Sequence, residues 1–162
     1  LDQQFPMERA FMAPAKVLDR FGTLEPAAIA AADPERFKAL CSIPPAVHRF
    51  PGSMAARIQE LAKIVAEDYA GDAARIWQEA TDGRDLLDRL QALPGFGKQK
   101  AQIFTALVAK QLGVRPAGWE GSAGDYALDG YRSVADVTSP ESLQKVRDFK
   151  QAAKAKARAQ KT

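Results

Sequence analysis

The chain has 162 residues, 46% of them hydrophobic and 27% charged, the balance of a globular protein with a buried core rather than a disordered one. One cysteine, Cys41, excludes internal disulfides and any four-cysteine zinc or iron–sulfur site, and one histidine, His48, argues against a histidine-rich metal centre. No metal and no cofactor is expected. The net charge of +3 is unevenly placed: residues 145–162 hold seven bases against the single acid Asp148, so the remainder is three charges negative. A basic tail on a mildly acidic body suits a polyanion, because each Lys or Arg set beside a phosphate releases counterions; a solvated, alanine-rich helical end that aids solubility is the plainer alternative.

Taken in chain order, the apolar spacing is helical throughout and no strand pattern stands out. Phe5 to Phe21 carries a helical stripe interrupted by Pro6 and Pro14, with Met7 and Met12 expected in the core. Glu25–Ala32 and Asp33–Cys41 each place proline after an acid, a helix-start signal. Residues 42–53 form a loop with three prolines. Ser53 is the expected N-cap of a long helix that keeps Met54, Ile58, Leu61, Val65 and Tyr69 on one face and stops near Gly71. A shorter helix over 72–80 contains Trp77, another expected core residue, and a further one spans 82–93. Lys98 to Leu112 reads as a helix buried through Ala101, Phe104, Leu107, Val108 and Leu112. The segment 114–137 reads as a glycine-dense loop, and Pro140 opens the last, basic helix. The class is all-α. No apolar run is long enough to span a bilayer, and no signal-peptide pattern opens the chain, which begins at Leu1; a cytoplasmic monomer is expected.

Pro94-Gly95-Phe96-Gly97, between two helices, carries one glycine more than a plain turn needs. Glycine there permits a positive φ or a very close approach by another molecule. The helix after it begins with free N–H groups and a positive dipole end, so a phosphate oxygen can reach the backbone at Gly95 and Gly97. Lys98 and Lys100 add charge at the same end, and Phe96 is expected to turn inward. Such a grip reads the DNA backbone and ignores sequence.

These residues carry a resemblance. Leu93–Ala101, "LPGFGKQKA", resembles the hairpin of the HhH-GPD superfamily of base-excision DNA glycosylases. Residues 1–18 resemble that family's glutamine-bearing helix, and 43–65 resemble its turn and helix beside the lesion pocket. The glycine-rich stretch ending at an aspartate resembles its "GPD" part. The likeness covers about 1–137 and is closest to small actinobacterial-type members without an iron–sulfur cluster. It implies a two-lobed helical fold with a cleft between lobes: a core over 1–137, with the hairpin at about 83–112 and a catalytic loop at 113–137, followed by a basic tail over 138–162. It also implies a nucleoid-associated repair enzyme acting on double-stranded DNA that contains a damaged base, flipping that base and hydrolysing its glycosidic bond.

By the same resemblance Asp136, in "YRSVADV", is the preferred catalytic carboxylate, with Asp125 and Asp129 as rivals and a helix-capping role as the structural alternative. Members that also cleave the strand have a lysine at the second position after the last hairpin glycine; here that position is Gln99, which implies a glycosylase without strong lyase activity. Gln4, with Gln3 beside it, matches a glutamine that fills the gap left by the flipped base. His48, Arg49 and Phe50 fall beside the lesion pocket, where a ring and a cation suit a stacked base. Tyr131 and Arg132 are further lining candidates, and Trp119 is either a base platform or a packing anchor. A DNA-binding protein that keeps the hairpin and lacks the chemistry is the alternative function.

Overall fold

The computed structural model describes residues 5–159. Gln3 and Gln4 lie outside them. Among the described residues the chain is helical with no strand, and it divides into two compact units, the first ending at Ala73 and the second beginning at Ala74.

The first unit holds five helices: α1 (Met7–Phe11), α2 (Ala13–Phe21), α3 (Pro26–Ala31), α4 (Pro34–Ser42) and α5 (Pro51–Asp68). Three of them begin on proline, whose fixed φ suits the first helical position where no N–H is needed. Asp33 caps α4 by accepting a hydrogen bond from Arg36 N at 2.8 Å. The helix after the proline loop starts at Pro51 rather than at Ser53. The ring of Pro51 sets its first turn, and the Ser53 hydroxyl donates back to the Phe50 carbonyl instead of capping. Helices α3 and α4 pack on α5 around Val17, Ile29, Phe37, Cys41, Val47 and Ala55. Phe21 meets Phe37 edge to face, with ring centroids 5.3 Å apart. Burial pushes the Cys41 thiol pKa up, so it stays protonated and inert. Gln59 ties the end of α3 to α5, its amide donating to the carbonyls of Ile29 and Ala32.

Met12 is not a core residue: it is 59% exposed. Pro14 interrupts the pattern, α1 gives way to α2 at Met12, and the inward face is Ala10, Ala13 and Val17.

The second unit holds α6 (Arg75–Gln78), α7 (Gly83–Gln91), α8 (Lys98–Gln111), α9 (Trp119–Ala123) and α10 (Pro140–Ala159), with 3-10 turns at Gly124–Ala127 and Val134–Asp136. The helix expected over 72–80 is one turn only, with Ile76 buried and Trp77 half-buried against Phe104. Asp82 caps α7, accepting from Asp85 N at 2.8 Å, and Leu86, Leu87, Leu90 and Leu93 form its buried face. Helix α8 departs from the expected stripe. Its buried residues are Ala101, Thr105, Ala106, Val108 and Ala109, while Leu112 is 52% exposed. Alanines on α8 let α9 and the 3-10 turn at 134–136 come close, so this helix is enclosed on several sides.

The glycine-dense segment is therefore not an open loop. Trp119 is buried on Ala106, Ala109, Ala123 and Ala135, which makes it a packing anchor. Gly83 opens α7 directly beneath it: a Cβ there would lie 2.5 Å from both N and Cα of Trp119. Gly83 N also donates to Ala117 O at 2.8 Å. We expect Gly83→Ala to destabilise this unit by about 1–3 kcal/mol through overpacking. Gly121→Ala, which meets open space inside α9, should be neutral or stabilising. Urea denaturation followed by tryptophan fluorescence compares them, and equal midpoints would show that residues 113–119 yield easily.

Candidate nucleic-acid interface and pockets

The hairpin joins α7 to α8 through a turn in which Phe96 N donates to Leu93 O at 3.1 Å. Gly95 takes φ +77°, a conformation L side chains avoid. Gly97 does not: at φ −77° and ψ 172° it is extended backbone and the N-cap of α8. What glycine supplies at 97 is space, since a Cβ there would meet nothing within 4 Å and no side chain caps the helix. The first-turn N–H groups have no intrahelical acceptors, and the first turn contains no acid. It holds Lys98, exposed, and Lys100, half-buried, the wrong sign of charge for a helix N-terminus. A negative charge placed there would relieve that mismatch. Phe96 is half-buried and packs edge to face on Phe104, fixing the turn to α8.

Gln99 is exposed on the same turn, and its amide donates to the Tyr126 hydroxyl at 2.8 Å. This bond brings the 3-10 turn at 124–127 beside the start of α8. Together they border an open pocket of about 480 Å³ lined by Gln102, Asp125, Tyr126, Arg132 and Phe149, within the size range of small-molecule sites. The Arg132 guanidinium lies 5.6 Å from the centroid of the Phe149 ring.

The three candidate aspartates have different surroundings. Asp125 is exposed and lines this pocket; Asp129 is exposed and does not. The Asp136 carboxylate is only 8% exposed. One oxygen meets Lys110 Nζ at 2.7 Å, and the other accepts from the backbone N–H groups of Arg132 and Ser133. Ser133 and Asp136 form a reciprocal capping box around the 134–136 turn. The last helix is served separately, by Ser139 and Ser142, which exchange hydrogen bonds across its first turn. Tyr131 is 39% exposed, its hydroxyl accepting from Lys145 Nζ, which also lies 4.7 Å from the ring centroid.

In the first unit His48 is 2% exposed, and its Nδ1 accepts from Phe50 N at 3.0 Å. Phe5 stacks obliquely on it with ring centroids 4.8 Å apart. Arg49 lies over the exposed Phe50 ring at 4.5 Å. His48 and Arg49 line a second open pocket, of about 690 Å³, with Phe5, Glu8, Arg9 and Lys16. Sequence reasoning missed Glu8, Arg9 and Lys16 here, and Gln102 and Phe149 in the other pocket. Each becomes a wall only because distant segments meet, although the i, i+4 spacing of Glu8 and Met12 does mark one helical face.

The second unit is thus all-α and built round a helix-hairpin-helix whose second helix starts on lysines with no side-chain cap. The family model described as HhH-GPD superfamily base excision DNA repair protein matches residues 1–162. The chain belongs to this superfamily, as its hairpin sequence led us to expect, and it is a DNA-binding base-excision repair protein of the glycosylase class. No curated protein and no solved structure matches the chain significantly. Among the described residues no helix is long and apolar enough to cross a membrane.

The environments of the acids separate stability from exposure. Asp136→Asn leaves Lys110 partly buried without its counter-charge, so we expect a loss of about 2–4 kcal/mol. Asp125→Asn should stay within about 0.5 kcal/mol of wild type. Thermal melts check both, and equal melting temperatures would mean that the Lys110–Asp136 pair contributes nothing.

Proposed function

We propose that the chain is a monofunctional DNA glycosylase acting on a damaged base in duplex DNA. The observation that carries this reading is the hairpin: an uncapped, lysine-bearing helix start whose first turn is hydrogen-bonded, through Gln99 and Tyr126, to the border of a carboxylate-lined pocket. Gly95, Gly97, Lys98 and Lys100 hold phosphates of the lesion strand. The flipped nucleotide enters the pocket beside Asp125. As the bond from C1′ to the base nitrogen breaks, its electron pair leaves with the base and the sugar gains oxocarbenium character. An ionised carboxylate stabilises that charge and takes the proton of the water that adds to C1′.

Exposure and position favour Asp125 for this role. Asp136, preferred on the resemblance, spends its oxygens on Lys110 and two backbone donors, which suits a positioning residue that shapes the pocket wall. Gln99 offers no amine for a Schiff base, so strand cleavage after excision is not expected. In the first unit the exposed Phe50 ring, with Arg49 over it, is a separate candidate contact for DNA, held in place by the buried His48. The engagement of Asp136 equally favours a second reading, a DNA-binding protein with the hairpin grip and no excision.

Single-turnover cleavage of a panel of lesion-bearing duplexes, with and without hot alkali, tests the proposal. Alkali-dependent breaks at one lesion, reduced at least about 100-fold in Asp125→Asn, are expected. Breaks without alkali would contradict the role of Gln99. Loss of activity in Asp136→Asn alone, with its fold intact, would return the catalytic role to that residue. No cleavage on any lesion, with salt-sensitive binding kept, selects the second reading. The grip has its own test in Gly97→Ala. The backbone there accommodates alanine and nothing crowds the methyl, so stability should be unchanged while duplex affinity falls about tenfold as phosphate approach is blocked. Unchanged affinity would remove Gly97 from the interface.

A further inference from the structure

Two opposite charges line the Asp125 pocket without pairing. Asp125 belongs to the 3-10 turn at 124–127, and Arg132 precedes the one at 134–136. Among the described residues neither takes part in an ion pair, with the other or with a third group. Arg132 is nevertheless held in place. Its backbone N–H donates to the Asp136 carboxylate at 2.9 Å, and its Nε donates to the Asp129 carbonyl at 3.4 Å. Its guanidinium lies 5.6 Å from the centroid of the Phe149 ring. The Asp136 carboxylate is already answered by Lys110. The guanidinium therefore stands in the pocket wall half-buried, fixed, and with its charge uncancelled.

The neighbouring polar groups of this wall are donors too. The Tyr126 hydroxyl accepts from Gln99, which leaves its own proton to give. The Gln102 amide nitrogen lies 3.5 Å from the Ser122 carbonyl and carries a second proton. Breaking a glycosidic bond separates charge: the sugar turns positive at C1′, and the bonding electron pair stays on the base. A neutral base with ring carbonyls leaves as an anion whose charge spreads onto its oxygens. An N-alkylated purine, already cationic, leaves as a neutral molecule. A fixed guanidinium stabilises the first departure and repels the second base before it reacts.

We propose that Arg132 selects a neutral, carbonyl-bearing damaged base for this pocket and holds the negative charge of that base as it departs. This rests on the reading of the pocket as the excision site, and it adds the substrate class to that reading. Asp125 answers the positive end of the breaking bond and Arg132 the negative end. Water gives its hydroxyl to C1′ and its proton to Asp125, which returns that proton to solvent. The departed anion takes a proton from solvent in turn, so the products are an abasic sugar and a neutral base.

The test compares duplexes bearing uracil, hypoxanthine or an oxidised guanine with one bearing a guanine methylated to a cation on its imidazole ring. Single-turnover excision by the full chain is followed for wild type, Arg132→Leu and Arg132→Lys. At least one neutral base should be removed, and the methylated cation at least about 100-fold more slowly. Arg132→Leu should lower removal of the neutral base about 100-fold while leaving that of the cation unchanged or faster. Arg132→Lys keeps the charge and should lose less than about tenfold. A damaged fold slows both kinds of lesion alike, so the ratio between them carries the result. A wild type that prefers the cationic base overturns the proposal, as does an equal loss on both lesions in Arg132→Leu. If no lesion is removed, the excision reading fails, and binding decides the proposal alone. Duplexes with the same bases on sugars fluorinated beside C1′, which resist cleavage, should then bind about fivefold or more tightly when the base is neutral. That preference should vanish in Arg132→Leu, and its absence in wild type overturns the proposal.

Discussion

The buried pair between Lys110 and Asp136 is the constraint on which the second unit depends. Lys110 projects from the last turn of α8, and Asp136 ends the 3-10 turn that follows the glycine-dense segment. Their 2.7 Å contact is accompanied by donation from Lys110 to the Leu128 carbonyl at 2.8 Å. Gln111, the neighbouring residue, spreads its amide over the carbonyls of Val134, Ala135 and Val137. Two adjacent side chains of one helix thus satisfy the backbone of a segment that makes few regular hydrogen bonds of its own. A carboxylate taken out of water is stable only when its lone pairs are all answered, and here a lysine and two backbone N–H groups answer them.

That anchoring is what turns 113–137 into walls. With its far end held at α8, the segment closes Trp119 onto the alanines of α8 and onto the bare backbone of Gly83. It then presents Asp125, Tyr126 and Arg132 to the pocket that Phe149 completes. Small residues allow the close approach, and the ion pair fixes the end. The pocket follows from the two together, without a dedicated scaffold of its own.

The start of α8 is arranged on opposite terms. A capping Ser or Asp at 97 would stabilise the helix, and acids in its first turn would favour its dipole. The chain has glycine and lysines instead, and draws the stability of the hairpin from the leucines of α7 and from the Phe96–Phe104 contact. A helix start with no side-chain cap and no acid in its first turn is suited to an anion. In the first unit, by contrast, His48 is buried and locked by Phe5 and by the backbone of Phe50, so it fixes the turn that carries Arg49 and Phe50.

Much was legible in local sequence because the signals are local. Prolines at 26 and 34, the Asp33 and Asp82 caps and the leucine spacing of α7 place helices by backbone sterics and by hydrogen bonds a few residues long. The hairpin Leu93–Ala101 declared both its turn and its family in the same way. Periodicity failed where burial is not one-sided. α8 is surrounded, so Thr105 and Ala109 are buried while Leu112 is not, and Met12 turned outward once Pro14 broke the helical pattern around it. Composition made 114–137 look like a loop, because nothing adjacent to Trp119 announces that Gly83, 36 residues earlier, leaves room for its backbone. The fates of the three aspartates were likewise undetermined in sequence. Only the tertiary structure set Lys110 against Asp136 and left Asp125 in the open, since an ion pair 26 residues apart depends on how the intervening chain folds back.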